Sequence, residues 1–164
     1  GEFMPTVDEI YCKFGFVAEA AQLLELELGT LLFYEEAVEA DLIENPNSSV
    51  ATDIYKKINK FTLGRLINNS KNKMDSVEEL ENLLSSALVE RNRLSHSFYR
   101  EHNFRLQAEL DEGRIIMLHD LERMHKIILD AYKAVMLISG IDLESPESIP
   151  EEYQEIKALG HVKL

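Results

Sequence analysis

The segment 90–102 holds the residues whose types and spacing are best suited to chemistry. Arg91 and Asn92 are followed after three residues by His96, on a stretch with helical periodicity. An imidazole exchanges protons near neutral pH. A guanidinium stays charged and can hold two phosphoryl oxygens while negative charge builds on them. An asparagine beside them can orient the phosphate or the histidine, so the three side chains together could act on a phosphodiester.

The local charge agrees with a phosphate ligand. The chain has a formal net charge of −13, from 30 acidic and 17 basic residues, so as a whole it should repel nucleic acid. Between positions 91 and 105, however, four arginines face the single acid Glu101, which gives a local net charge of +3. A basic segment that also carries histidines and aromatic residues is what local phosphate binding requires.

Arg91 also interrupts an apolar stripe. The stripe consists of Val77, Leu80, Leu84, Ala87, Arg91, Leu94 and Phe98. A charge on a buried face costs several kcal/mol unless it is paired or faces a wet cleft or a symmetric interface. We therefore expect a compensating group near Arg91, and Glu35, which lies on the stripe of the first helix, is one candidate.

The angular offset between Arg91 and His96 favours a dimer. Five residues along an unbroken helix correspond to about 140° around the axis and roughly 7.5 Å along it, so these two side chains flank a ridge. Asn92 and His96 share a face. Two copies of the helix crossing at a two-fold axis could bring both Arg91 and both His96 side chains into one cleft.

The pattern Arg91-Asn92-x3-His96 resembles the signature of HEPN domains, a superfamily of small helical bundles in which an Arg and a His are separated by four to six residues. The arrangement of the chain over 7–139 also resembles that superfamily, with the motif toward the end of a central helix and a long helix after it. The resemblance implies a metal-independent endoribonuclease that acts as a homodimer, often as a toxin or phage-defence effector. Arg91, Asn92 and His96 would be its catalytic residues.

The resemblance also implies the partners. RNA is the substrate, a cognate antitoxin is a possible partner, and neither a cofactor nor a metal ion is expected. His96 would take a proton from a ribose 2′-hydroxyl or give one to the leaving 5′-oxygen. The residues expected to contact RNA around it are Arg93, Tyr99, Arg100, His102 and Arg105.

Two other functions remain open at this point. The first is a HEPN-like bundle without catalysis, which would work as a dimeric binding or regulatory module. The second is a metal–carboxylate bundle, suggested by the Glu122-x-x-His125 spacing on the final helix. A di-metal site needs two such motifs and two more glutamates, and the sequence offers one motif.

The elements that must position these residues are helical throughout, so we predict an all-α antiparallel bundle of four to five helices, two of them long. The first helix opens with Thr6 and Glu9 at capping-box spacing and should end near Pro46. Two short helices are expected over 49–69, then an exposed loop over 68–75. A helix from Ser76 carries the motif, and the final long helix covers about 113–139.

The domain organisation is simple. Residues 1–3 resemble a cloning remnant, 4–143 form a single helical domain, and 144–164 form an acidic tail that contains prolines. The single cysteine, Cys12, excludes a disulfide framework and suggests a reducing compartment. No apolar run approaches the eighteen or so residues that span a bilayer. We therefore expect a soluble, cytoplasmic protein without a membrane partner.

Overall fold

The computed structural model describes residues 3–61, 64–67, 78–107, 112–139 and 141–145. Throughout these residues the fold is all-α, as predicted, and they include no strand. The predicted loop 68–75, the helix start at Ser76 and the tail beyond position 145 lie outside the described residues. The elements are α1 (Val7–Glu39), α2 (Ser48–Ile58), α3 (Glu78–His96), the short α4 (Phe98–His102), a 3-10 turn (Asn103–Leu106) and α5 (Gly113–Ile138).

The capping box at the start of α1 is confirmed. The Thr6 hydroxyl accepts a hydrogen bond from the backbone N–H of Glu9 at 3.1 Å. The Glu9 carboxylate in turn accepts one from the backbone N–H of Thr6 at 2.8 Å. Two of the N–H groups that a helix start leaves without partners are satisfied by this exchange.

The end of α1 comes earlier than predicted, at Glu39 instead of near Pro46. Asp41 adopts a left-handed backbone conformation, with φ 57°. The next residue, Leu42, donates its N–H back to the carbonyl of Ala37 at 2.9 Å. This Schellman-type closure satisfies the last carbonyls of the helix and ends it before the proline is reached.

The core lies where α5 packs against both α1 and α3. Both long helices contribute fully buried side chains, which include Ile10, Val17, Leu24, Leu28, Met117, Leu121, Met124 and Ile128. Of the 11 residues of α2, which packs against α1, only Ile58 is buried. Residues 64–67 are also helical and add the buried Leu66 and Ile67 to the core.

Contacts between the helices give their directions. Arg114 Nε at the start of α5 donates to the carbonyl of Pro5, just before α1, and Lys13 contacts His125 further along both helices. Helices α1 and α5 therefore run in the same direction. The α3 helix is antiparallel to α1 and to α5, so it carries the motif back along both long helices.

Two further features bear on the sequence analysis. The side chain of Cys12 is exposed on α1 and forms no disulfide. Among the helices that the structure describes, none has the length and apolar character needed to cross a lipid bilayer.

Candidate functional site

The last two turns of α3 carry Arg91, Asn92 and His96. The helix is held in place by the buried Leu84, Ala87 and Leu94, which share a face with Arg91, whereas Asn92 and His96 lie on a different face. Three acidic residues occupy its first turn and two basic ones its last turn, which is the charge distribution that a helix dipole favours. Asn92 and His96 are exposed, and Arg91 is half-buried. The motif thus lies at the surface of a well-anchored helix.

Arg91 is paired within its own chain. Its Nε donates to Glu25 Oε1 of α1 at 3.1 Å, and its Nη1 donates to Asn92 Oδ1 at 3.2 Å. The expected compensating charge therefore exists, but it is Glu25 and not Glu35. The buried charge of α3 is the neighbouring Glu90, which is 7% exposed. The paired and half-buried Arg91 consequently does not require a second copy to balance its charge.

The His96 imidazole faces solvent and makes no hydrogen bond to a residue that the structure describes. Only its backbone carbonyl is engaged, by Arg100 Nη2 at 2.8 Å. Val89 lies on the same face of α3 as Asn92 and His96, at helical spacing, and is 57% exposed. The motif face therefore combines a free imidazole with an exposed apolar side chain.

Arg93 lies inside an ion-pair network with three carboxylates. It donates to Glu90 at 2.8 Å, to Asp120 at 2.9 Å and to Glu101 at 2.6 Å. Arg123 of α5 donates to Glu90 and Asp120, each at 2.9 Å. An RNA phosphate would have to compete with three carboxylates for Arg93, so the network gives this residue a structural role. In the sequence, the three-residue spacing of Glu90 and Arg93 on a helix was the signal for the ion pair between these two residues.

The network perturbs the pKa values of its members. Hydrogen bonds to Asp120 and Glu101 raise the pKa of Arg93 further above its usual range. Burial alone would raise the pKa of Asp120, but hydrogen bonds from Arg93, His102 and Arg123 outweigh burial and hold that pKa well below its ordinary value. The network therefore stays ionised and ties α3 to α5.

His102 is buried in the same network. Its Nε2 lies 2.8 Å from Asp120 Oδ2, and its Nδ1 accepts from Arg105 Nη1 at 3.1 Å. Its ring centroid is 4.6 Å from that of Phe98. The ring is 5% exposed, so this placement removes His102 from the surface that RNA could contact.

The other three residues expected to contact RNA differ in exposure. Tyr99 is half-buried beside Phe14 and Phe98, with ring centroids 5.1 and 5.0 Å away, and burial raises the pKa of its hydroxyl. Arg100 and Arg105 are exposed. Of the five residues predicted to contact RNA, Arg100 and Arg105 are therefore the two whose guanidinium groups lie at the surface.

A groove of about 620 Å³ adjoins the motif and was missed by the sequence analysis. It lies between α1, α2, residues 64–67 and α3, and Glu25, Arg91 and Ser95 line it. Its other lining side chains are Ala18, Ala21, Gln22, Leu26, Gly29, Thr30, Phe33, Tyr55, Ile58, Asn59, Phe61, Leu66 and Leu94. This volume is within the range of small-ligand sites in proteins.

A second basic segment borders this groove. Positions 54–67 contain Lys56, Lys57, Lys60 and Arg65 and no acidic residue. The signal was available in the sequence as a charge run within an acidic chain, interleaved with Tyr55 and Phe61. The segment therefore places positive charge next in sequence to the lining residues Tyr55, Asn59 and Phe61.

His125 has a structural environment. It is 6% exposed, and its Nδ1 accepts from Lys13 Nζ at 2.9 Å. Burial, with the nearby Lys13 charge, lowers the pKa of His125 to about 4. The Lys13 ammonium occupies the lone pair that a metal ion would use. Among the residues described, no three His, Cys, Asp or Glu side chains are grouped so as to hold a metal ion.

No protein-family model, curated protein or solved structure matches the chain. The resemblance to HEPN domains therefore depends on Arg91, Asn92 and His96 and on the order of the helices.

Proposed function

We propose that this chain is a homodimeric, metal-independent endoribonuclease of the HEPN kind, in which Arg91, Asn92 and His96 are catalytic. One observation carries the proposal. On the surface of α3, an unengaged imidazole lies one turn from Asn92, and Asn92 in turn accepts a hydrogen bond from Arg91. A proton-transfer group and a positioned guanidinium are two of the components that 2′-hydroxyl transesterification needs.

The chemistry follows from these groups. His96 takes the proton of a ribose 2′-hydroxyl, and the oxygen attacks the adjacent phosphorus. The bond to the 5′-oxygen breaks, a proton is delivered to that oxygen, and the products carry a 2′,3′-cyclic phosphate and a 5′-hydroxyl. Arg91 Nη2 makes no hydrogen bond to a described residue, so it can hold a non-bridging oxygen while Asn92 restrains Nη1.

The homodimer supplies the second proton-transfer group. One imidazole acts as base, and the partner subunit's His96 gives a proton to the leaving oxygen. The face that would cross the two-fold axis contains Asn92, His96 and the exposed Val89, so an apolar contact would flank the reacting groups. A role as a toxin or phage-defence effector held by a cognate antitoxin is part of the same proposal.

The non-catalytic module is the second candidate, and the Arg91–Glu25 ion pair favours it. In that function the pair would fix the groove wall and the motif would only bind. The two candidates differ in whether RNA is cut.

The test is incubation of the protein with single-stranded RNA in excess chelator. His96→Ala removes the proton-transfer group, and we expect the rate to fall by roughly 10²- to 10⁴-fold. His119→Ala, at an exposed histidine of α5, is the matched control and should cleave at the parent rate. Equal cleavage by the parent and His96→Ala would reject the catalytic proposal, and intact RNA with measurable binding would select the module.

A further inference from the structure

We infer that the groove between α1, α2 and α3 is a base-binding site, which takes one unpaired base of a single-stranded RNA and sets the adjoining phosphate at Arg91. The cleavage part of this inference rests on the proposed function, whereas the binding part does not. The groove and the motif share one helix. Arg91 and Ser95 face the groove, and Asn92 and His96 are the next residues around α3.

The groove wall has the side chains that bind bases. Tyr55 is 60% exposed at its edge, and Phe33 and Phe61 also line it. Arg65 covers one face of Phe61, with its Cζ 4.0 Å from the ring centroid. A base has a π-face whatever its sequence, so Tyr55 and Phe33 offer a stacking surface.

Polar side chains line the same groove. Gln22, Asn59, Thr30 and Ser95 are exposed on its walls. The two amides present both donors and acceptors, which is the set that can meet the Watson–Crick edge of an unpaired base. A mixed wall of aromatic and amide groups fits a nucleobase better than a purely apolar ligand.

The electrostatics of the groove rim suit a phosphate backbone. Lys57 is paired with Glu36 at 2.9 Å, but Lys56 and Lys60 are exposed and form no ion pair with a described residue. On the opposite side, the charge of Arg91 is balanced by Glu25, which also lines the groove. In a chain of net charge −13, the exposed Lys56 and Lys60, next in sequence to the lining residues Tyr55, Asn59 and Phe61, are the charges that would attract a phosphate backbone.

The dimensions restrict the substrate class. About 620 Å³ accommodates one nucleoside and not a duplex, whose bases are stacked and paired. The base must therefore come from a single strand, a loop or a bulge. With the base in the groove, its phosphate reaches Arg91 and the neighbouring ribose reaches the His96 side of α3.

Binding is best measured in a His96→Ala background, where RNA stays intact, using anisotropy of a fluorescent 12-nucleotide single-stranded RNA in chelator. Tyr55→Ala removes the stacking surface and should weaken binding at least about fivefold. Tyr34→Ala is the matched control, because Tyr34 is 59% exposed on α1 and does not line the groove. It should leave the affinity unchanged.

The salt dependence tests the rim separately. Lys60→Ala should lower the slope of log K against log salt by about 0.7, the value for one phosphate contact to a single strand. Lys126→Ala removes the same charge from α5, which does not line the groove, and should leave the slope unchanged. Circular dichroism of each variant verifies that the helices are intact.

The outcomes separate the inference from the proposed function. Tyr55-dependent binding by a parent protein that does not cut RNA would overturn the ribonuclease and support the base-binding site. Cleavage with an unchanged KM in Tyr55→Ala would overturn the site and leave the ribonuclease standing. If Tyr55→Ala dissociates a dimer while RNA affinity stays unchanged, the groove is an interface between copies and the inference is wrong.

Discussion

Arg91 of α3 and Glu25 of α1 form an ion pair at 3.1 Å that lies at the boundary between the groove and the motif face. The pair uses Nε and leaves the Nη edge of the guanidinium toward Asn92. The ion pair therefore fixes the orientation of the guanidinium group and leaves Nη2 without a hydrogen bond to a described residue. A phosphate approaching from the His96 side meets a guanidinium whose orientation is already set.

The first prediction concerns the guanidinium group of Arg91. Arg91→Lys keeps the charge and the attraction to Glu25 but loses the planar pair of donors. We expect kcat for RNA cleavage to fall on the order of 10²-fold with little change in the unfolding midpoint. Arg100→Lys, at an exposed arginine outside the proposed catalytic set, should change kcat by less than about twofold. An unchanged kcat in Arg91→Lys would mean that Arg91 acts only as a point charge.

The second prediction concerns the buried network. Glu90→Gln removes the buried carboxylate that pairs with both Arg93 and Arg123. We expect the free energy of unfolding to fall by about 2–4 kcal/mol in urea denaturation. Glu122→Gln makes the same change at an exposed position of α5 and should alter stability by less than about 0.5 kcal/mol. If Glu90→Gln also lowered the free energy of unfolding by less than about 0.5 kcal/mol, the network would contribute little to stability.

The third prediction concerns acid stability. The pKa of buried His125 is lowered from 6.5 to about 4, so between these values the unfolded chain binds a proton that the native state does not. The free energy of unfolding should therefore decrease from pH 6.5 toward pH 4, by about 1–3 kcal/mol. His125→Gln should lose this part of the pH dependence, while His119→Gln should retain it. Denaturant titrations at pH 7 and pH 4.5 measure both.

Asp120 and Glu27 also have shifted pKa values, but neither affects the difference between the parent and His125→Gln. The stabilisation from Asp120, whose pKa is depressed, is present above about pH 4 and is lost only at lower pH. Burial raises the pKa of Glu27, which works against His125 in part of the same window. The contribution of Glu27 is common to the parent and His125→Gln, so it cancels in the difference. Identical pH profiles for these two proteins would contradict the assignment to His125.

The fourth prediction concerns the end of α1. Asp41 holds φ 57°, a conformation that costs an L-residue free energy and a glycine almost none. Asp41→Gly should raise the free energy of unfolding by about 0.5–1 kcal/mol, even though it removes an exposed hydrogen bond from Asn45. Ala40→Gly, one residue earlier at φ −84°, should lower it. Thermal unfolding of the two variants should shift in opposite directions.

Local signals in the sequence predicted local structure well. The Thr6–Glu9 capping box involves residues three apart. Six apolar residues of α5 that recur at spacings of three and four are all buried, namely Met117, Leu121, Met124, Ile128, Ala131 and Val135. The end of α1 predicted near Pro46 is too late, because the sequence shows a proline there and gives no sign of a left-handed residue before it. The left-handed backbone at Asp41 depends on how the last turn of the helix closes. Single-residue backbone states of this kind leave little trace in a hydrophobic pattern.

The positions of the candidate residues along the helix were easier to predict than their contacts. The motif residues were correctly placed on one helix, but the partner of Arg91 depends on the register between α1 and α3, which residue spacing within either helix does not contain. The burial of His102 follows the spacing of the apolar stripe, because His102 lies four residues after the buried Phe98 and so one turn further along the same face. The histidine side chain and the basic charge around it favoured RNA contact instead. The net charge of +3 along 91–105 includes Arg93 as a group able to bind phosphate, although Arg93 forms ion pairs with three carboxylates.

The weak anchoring of α2 has a consequence for selectivity. This helix contributes Tyr55 and Ile58 to the groove, yet only Ile58 of its 11 residues is buried. Opening of α2 away from α1 exposes little apolar surface, so it costs far less free energy than unfolding of the α1–α5 core. A groove with one rigid wall and one compliant wall can adjust its width to a purine or a pyrimidine. It should therefore discriminate weakly between bases and accept many sequences, provided that they present an unpaired nucleotide.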